Sequence, residues 1–234
     1  MSENSKGFGY KVLDSSDIGP YVKVEYDLIQ NKDLPTPAKL VYAFLKTYEN
    51  RADHTAVVSM DTLVRKSGYS KATINKSIRE LESSGVISTK RISNKKAGRG
   101  YNKYTLNING GMFAMMTLVF VESKNLTCKE KEFILLVFPY ILDNDTIGSL
   151  DNPYDPGVIA EKTGLSTRVV VERIKDLKLK NLIKDHYTKT GTHGRSFFVG
   201  YKFNMFDIML SNTASIKEER DRFRSILEEK GLRY

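Results

Sequence analysis

The spacing of apolar residues in the first half of the chain predicts three helices. The first helix begins at Thr36, which is read as its cap, and its apolar residues recur at helical spacing. A short second helix is predicted over residues 59–66 and ends before Gly68, a residue that stops helices. Ser70 is a good N-cap for a third helix. One apolar stripe of that third helix consists of Ile74, Ile78 and Leu81.

Two β-rich segments follow the third helix. Residues 86–93 and 101–108 have the composition of paired strands, and a loop rich in Lys and Gly joins them over residues 94–100. Three helices followed by a basic hairpin form the winged-helix arrangement. The sequence therefore predicts one such domain in the first half of the chain.

The same pattern recurs in the second half. A shift of 96 residues places Gly68 and Ser70 over Gly164 and Ser166, and apolar classes stay in step across some thirty residues. The upstream helices align at a shift of 92, with Lys39 over Lys131, so the second copy carries four more residues, placed in a predicted loop over residues 143–156. The elements expected in this copy are helices over 127–141, 157–162 and 166–180, a hairpin of 182–189 and 195–203, and an added strand over 115–121.

This repeat predicts an α+β fold, mainly α with β-hairpin wings, built from two tandem winged helix-turn-helix domains over residues 1–111 and 112–234. The turn-forming residues 109–111 are too few for a long flexible linker, so we expect the domains to pack together. A final amphipathic segment, residues 206–230, is expected either to pack against the domains or to drive self-association. The chain as a whole is expected to be a monomer that acts as a built-in dimer.

Positive charge is concentrated in two matching segments. The chain has a formal net charge of +9 and a pI near 9.4. Residues 70–103 carry 9 basic against 2 acidic residues, and residues 166–199 carry 8 against 3, so the rest of the chain is net acidic. Both segments contain a predicted third helix and its hairpin. This distribution indicates a polyanionic partner, and double-stranded DNA fits it best.

A recognition helix buries one face against its own domain and offers the other to the major groove. In the first copy the outward face carries Asn75, Lys76 and Arg79, which suit adenine and guanine edges. The second copy has Val171 and Glu172 in place of Asn75 and Lys76, so we expect base reading mainly in the first domain. The other DNA-binding candidates lie on the two recognition helices and the two wings: Ser70, Lys71, Lys90, Arg91, Lys95, Lys96, Arg99 and Lys103 in the first copy, and Thr167, Arg168, Lys175, Lys184, Lys189, His193 and Arg195 in the second.

Catalytic, metal and cofactor chemistry finds little support in the sequence. Cys128 is the single cysteine, and the three histidines lack the paired spacing of metal-dependent nicking enzymes. No Gly-rich loop ends in Lys-Ser or Lys-Thr, as a nucleotide-phosphate loop would. We therefore expect a protein without enzymatic activity, metal or cofactor. The apolar runs are shorter than the roughly 18 residues that a membrane span needs, and we find no signal peptide. We therefore expect a cytoplasmic protein without a membrane partner.

A family resemblance is carried by two segments of the first copy, which read GYSKATI over residues 68–74 and LESSGVI over residues 81–87. With the basic hairpin, they resemble the helix-turn-helix domains of replication initiators and replisome organisers in plasmids and phages of Gram-positive bacteria. The resemblance is strong over residues 34–108 and weaker over 126–203. Two winged helices in one chain also look like plasmid initiators that bind origin repeats. Tandem helix-turn-helix regulators of conjugative plasmids look similar.

These resemblances imply binding to an origin or control region, with replication or conjugation proteins as further partners. Three functions stay open at this point. An initiator would bind repeated sites and contact a helicase or primase, whereas a repressor or transfer-origin accessory protein would bind near a promoter or transfer origin. A protein-interaction scaffold would show no salt-sensitive affinity for DNA.

Overall fold

The computed structural model describes residues 21–50, 52–93, 100–107, 111–142, 144–190 and 195–210. These residues divide into two compact units, which we call the N-terminal unit (residues 21–136) and the C-terminal unit (residues 137–210). Each unit combines helices with antiparallel strands. The division falls after residue 136, whereas the sequence placed a domain boundary after residue 111.

The N-terminal unit contains the first copy of the repeat and the beginning of the second. Its elements in chain order are β1 (Tyr21–Glu25), α1 (Tyr26–Gln30), α2 (Thr36–Lys46), β2 (Glu49–Asn50), β3 (Thr55–Val58), α3 (Met60–Ser67), α4 (Lys71–Ser83), β4 (Ile87–Ser93), β5 (Gly100–Leu106), β6 (Phe113–Thr117), α5 (Leu118–Glu122) and α6 (Cys128–Val137), whose last residue lies past the division.

The C-terminal unit contains the rest of the second copy. A 3-10 turn (Phe138–Tyr140) is followed by β7 (Thr146–Ile147), α7 (Pro156–Thr163), α8 (Thr167–Leu179), β8 (Ile183–Thr190), β9 (Arg195–Phe203) and α9 (Met205–Leu210). From α2 onward, the order of elements in this copy resembles that of the first: helix, short strand, helix, helix and hairpin, with the single strand β7 where the first copy has β2 and β3.

Short polar caps and one glycine define each helix-turn-helix. The Ser70 hydroxyl accepts a hydrogen bond from the Thr73 amide at the start of α4, and the Ser166 hydroxyl accepts one from the Val169 amide at the start of α8. The preceding helices end at Gly68 and Gly164 with φ of 76° and 73°. This left-handed conformation favours glycine, which explains why these residues can end α3 and α7.

Each predicted wing hairpin is part of a small antiparallel sheet. In the N-terminal unit the strand order is β2-β3-β5-β4, and in the C-terminal unit it is β7-β9-β8. The second hairpin has a bulge, because His186 pairs with Gly200 whereas Tyr187 pairs with Phe198, which leaves Val199 as an extra residue in β9. The repeat offset along this strand therefore changes from 96 before the bulge to 97 after it, so that Tyr104 corresponds to Tyr201.

A two-stranded ribbon joins the beginnings of the two copies within the N-terminal unit. Strands β1 and β6 pair antiparallel, with Lys23 opposite Met115 and with Tyr21 and Glu25 opposite Thr117 and Phe113. The two strands and the helices after them, α1 and α5, have bounds that differ by 92 residues at both ends. Lys23 thus faces its own equivalent in the repeat, and the pairing has a local two-fold symmetry.

Two buried lysines mark the same correspondence. Lys39 on α2 donates a hydrogen bond from Nζ to the carbonyl of Ile29 at 2.7 Å, and Lys131 on α6 donates one to the carbonyl of Val121 at 2.8 Å. Both ammonium groups thereby meet carbonyls near the C-terminus of a short helix, where the backbone carries partial negative charge. Burial lowers the pKa of each lysine to about 8.

The structure corrects three local expectations. Thr36 lies inside α2, whose cap is Pro35 without a side-chain hydrogen bond. Residues 118–121 are helical rather than extended, because the Thr117 hydroxyl accepts a hydrogen bond from the Phe120 amide and caps α5. Helix α6 ends at Val137, and a 3-10 turn containing Pro139 follows, since proline lacks the amide hydrogen that would continue an α-helix.

Candidate nucleic-acid interface

Helix α4 presents a polar and basic face to solvent. Ile74, Ile78 and Leu81 are buried, which confirms the inward stripe. Lys71, Asn75, Lys76 and Arg79 are exposed, and none of these four forms a salt bridge with any other residue that the structure describes. Their donors are therefore available to an external anion or base edge. Ser70, also a candidate, is exposed but its hydroxyl is occupied as the helix cap.

The first wing places its candidates on two different faces. Arg91 pairs with Asn102, two residues from the buried Tyr104, so it shares the sheet face that packs on the helices. Lys90 pairs with Lys103 on the opposite face, where Lys103 also forms a salt bridge with Asp53 at 3.5 Å. Arg91 is thus the described wing cation on the side of α4. The remaining candidates of this wing, Lys95, Lys96 and Arg99, lie outside the described residues.

The turn of the first helix-turn-helix rests on α5 and α6. Lys66 forms a salt bridge with Glu122 at 2.5 Å, and the Tyr69 hydroxyl donates a hydrogen bond to the Glu132 carboxylate. The Cys128 thiol donates to the carbonyl of Ser67 at 3.0 Å. Burial, and secondarily the charge of Glu132, raise the pKa of Tyr69 well above its ordinary value. These contacts make residues 118–136 part of the support for α4.

Helix α8, the counterpart of α4 in the second copy, carries less available charge. Thr167, Arg168 and Lys175 are exposed on α8. Arg173 is buried and forms a salt bridge with Asp176 at 2.9 Å, and Lys178 forms one with Asp185 at 2.6 Å. Internal acids therefore neutralise two of the basic residues counted in the sequence.

The second wing adds one described cation from the candidates. Lys184 on β8 is exposed. Lys189 and Arg195 lie on β8 and β9 at the ladder pairs closest to the loop, with Lys189 opposite Ser196 and Arg195 opposite Thr190. The last candidate of this wing, His193, lies outside the described residues.

The outward stripes of α4 and α8 differ in chemistry. Asn75, Arg79 and Ser83 on α4 correspond at the offset of 96 to Val171, Lys175 and Leu179 on α8. The side chains of Val171 and Leu179 are 49% and 75% exposed. Aligning the two copies at the offset of 96 was enough to show that α8 has fewer residues suited to hydrogen bonds with base edges. It gave no signal that these apolar residues line a groove with Tyr201 and Pro156, because that depends on how β9 and α7 pack.

Other kinds of site find no support in the described part of the chain. Among the described residues, no group of three or more His, Cys, Asp or Glu side chains is arranged to hold a metal ion. No helix within the described ranges is long and apolar enough to cross a membrane.

Comparison with known proteins identifies the first helix-turn-helix. Residues 32–87 match the family model of a helix-turn-helix domain. The matched range runs from just before α2 to the first residue of β4, and so includes the whole of α3 and α4. No curated protein matches the chain. The match supports a DNA-binding helix-turn-helix protein.

Proposed function

We propose that this protein binds double-stranded DNA sequence-specifically, and that the first copy reads the bases. The observation that carries the proposal is the exposed face of α4, on which Asn75, Lys76 and Arg79 stand without a salt-bridge partner among the described residues. Asn suits adenine, and Arg or Lys suits guanine, in the major groove. No catalytic step forms part of this proposal.

We also propose that the chain carries two winged helix-turn-helix copies. Support comes from the matched serine caps, the left-handed glycines at residues 68 and 164, and the buried Lys39 and Lys131 with equivalent carbonyl partners. In this proposal Arg168 at the start of α8 and Lys184 on the second wing contact phosphates. The second copy then extends the contact with DNA but adds little sequence information.

The biological role that we propose is recognition of an origin or control region of a mobile element, as a replication initiator-like factor. The matched helix-turn-helix and the unequal recognition faces support a single chain on a non-palindromic site. Selection of bound fragments from the native replicon, mapped against origins, promoters and transfer origins, would distinguish this role from that of a repressor or transfer accessory protein.

The base-reading assignment can be tested by Arg79→Ala with Lys32→Ala as a matched control. Both residues are exposed cations, and Lys32 precedes α2, away from the recognition helix. Loss of a base contact should cost about 1–3 kcal/mol on the preferred site and much less on random duplex. Binding is measured by fluorescence anisotropy at fixed salt. Equal losses on both duplexes would show that Arg79 contacts only the backbone.

A further inference from the structure

An open apolar groove lies along the recognition helix of the second copy. Its volume is about 420 Å³, and one wall is a helical stripe of α8. Most of its lining is apolar, and its apolar residues Val171 and Leu179 are exposed. The residues that form it include Pro156, Val171, Ile174, Lys175, Leu179 and Tyr201.

The groove continues along the second wing as a ladder of aromatic rings. The ring of Tyr201 contacts that of Phe198 edge to face at a centroid distance of 5.3 Å, and Phe198 contacts Tyr187 at 5.8 Å. Tyr187 is 55% exposed. One apolar surface therefore extends from α8 to the second hairpin. We call it the α8 surface: Val171, Leu179, Tyr201, Phe198 and Tyr187.

The first copy has polar residues at the equivalent positions. Asn75 and Ser83 stand where the second copy has Val171 and Leu179. On the wing, the ladder pair of Arg91 and Asn102 stands where the second copy has the pair of Tyr187 and Phe198. Four polar positions of one copy are thus apolar in the other, and all four lie on the same surface.

This surface is poorly suited to DNA. Apolar side chains can contact the thymine methyl group but make no hydrogen bond to base edges. Lys178 beside the groove is already paired with Asp185 at 2.6 Å, so Lys175 is the stripe's cation without a salt-bridge partner among the described residues. A groove of this kind instead fits the apolar face of an amphipathic helix that carries acidic residues.

We propose that the α8 surface is the docking site of the chain's own C-terminal segment, residues 211–230. The described chain ends at Leu210 in α9, and the residues before it, Met205 and Ile208, are buried in the C-terminal unit. The segment is therefore tethered to the unit that bears the groove. Tethering raises the local concentration of the segment to the millimolar range or so, which permits docking through a small contact.

The sequence of the segment complements the α8 surface. Its apolar residues recur at helical spacing, and Glu219, four residues before Phe223, falls on the same helical face and can meet Lys175. The segment also holds five basic residues, so its net charge is zero and its apolar stripe is the main ground for docking. If residues 216–227 are helical they span about 18 Å, which is close to the length of about 20 Å of the 13-residue α8. The apolar residues are Ile216, Phe223, Ile226 and Leu227, and the acidic residues are Glu218, Glu219, Asp221, Glu228 and Glu229.

The absence of tryptophan from the chain gives a direct test. Leu179→Trp in the full chain places a fluorescent reporter on the groove, and Ser83→Trp places one at the equivalent exposed position of α4. Docking predicts that the reporter on the groove has blue-shifted emission and is quenched by acrylamide severalfold less than the reporter on α4. Adding Phe223→Ser and Ile226→Ser should abolish the difference, since each serine weakens docking about tenfold or more. Lys217→Ser with Asp221→Ser, which removes one charge of each sign from the opposite face of the same helical pattern, is the matched control and should leave the difference intact.

Four outcomes would overturn the proposal. The reporter on the groove could be as accessible to acrylamide as the reporter on α4, or its blue shift could survive the serines in the segment. A shift that grows with protein concentration would assign the surface to a second copy of the chain, and a shift that appears only with duplex DNA would assign it to DNA. If the reporter variant fails to fold, amide hydrogen exchange over residues 216–227 can be measured in the chain without tryptophan. Docking predicts slower exchange in that chain than in the chain with Phe223→Ser and Ile226→Ser. This test needs no DNA binding by the first copy, so the two proposals fail independently.

Discussion

Replacing Lys39 by methionine should weaken the pH dependence of the free energy of unfolding between pH 8 and about 10. Burial lowers the pKa of Lys39 from 10.5 to about 8, and that of Lys131 by the same amount. Between these values the unfolded chain holds a proton that the folded chain has lost. Stability therefore rises with pH across this window, whereas below pH 8 both states are protonated and the cost of burying the charge is fully present.

The expected slope follows from the proton count. One proton bound only in the unfolded state contributes at most about 1.4 kcal/mol per pH unit, so we expect on the order of 1 kcal/mol per pH unit for each lysine. Methionine retains the apolar chain but neither titrates nor donates to the Ile29 carbonyl. The lost hydrogen bond will change the unfolding free energy at every pH. The slope of that free energy against pH is therefore the quantity that tests the pKa of Lys39.

Urea denaturation followed by circular dichroism from pH 7.5 to 9.5 measures the slope. Lys39→Met and Lys131→Met should each remove about half of it, and the double variant nearly all. Lys32→Met, at an exposed position, is the control. Burial raises the pKa of Cys128 and of Tyr69, which opposes the slope at the upper end of the range. Lys39→Met leaves this contribution unchanged, whereas Lys131→Met also removes the charge of Lys131, which lowers the pKa of Cys128. A double variant with the wild-type slope would refute the assignment.

Three further predictions concern DNA binding and the bulge in β9. If roughly 6 to 8 phosphates are neutralised, log K should fall with log salt at a slope of about −5 to −7, and a slope near zero in a salt titration would exclude DNA binding. Footprinting of the full chain should show a sequence-dependent patch under the first copy and a neighbouring sequence-independent patch under the second, and a single patch would argue against phosphate contacts by the second copy. Gly200→Ala should lower the unfolding free energy by more than about 2 kcal/mol, because its Cβ would lie 1.9 Å from the Ile147 carbonyl oxygen. Gly85→Ala, at a φ of 73° with open space around it, measures backbone strain without a clash. A cost for Gly200→Ala, at a φ of 153°, that is no larger in chemical denaturation would show that the clash is relieved.

Local signals in the sequence predicted the helix-turn-helix well. The serine at position 70 and the glycine at position 68 act through hydrogen bonds and dihedral angles within a few residues, so their effect is readable without the fold. The inward stripe of α4 follows from helical periodicity in the same way. The recognition-helix candidates Lys71, Asn75, Lys76 and Arg79 are exposed as expected, while their contacts with DNA stay a prediction.

Features that depend on contacts distant in sequence were missed. Helices α1 and α5 have five residues each, too few for a periodic signal, and the carbonyls that Lys39 and Lys131 meet lie ten residues away. The expected boundary after residue 111 relied on a glycine pair. It could not anticipate that β6 pairs with β1, because register between distant strands leaves little trace in composition. The role of the first copy should therefore be tested with single-residue variants of the full chain. A truncation after residue 111 would remove β6, α5 and α6 from the N-terminal unit.

The pairing of Lys23 with Met115 bears on how such a chain can evolve. Two identical strands that meet about a two-fold axis place each residue opposite its own copy, which is the arrangement of a symmetric homodimer. In a homodimer every mutation occurs twice, so a change that improves one half imposes itself on the other. Once both halves are encoded in one gene, Asn75 can be kept while its counterpart becomes Val171, and selection acts on each position separately. Covalent linkage therefore permits the two halves to differ in chemistry, while the pairing of β1 with β6 keeps its local two-fold symmetry.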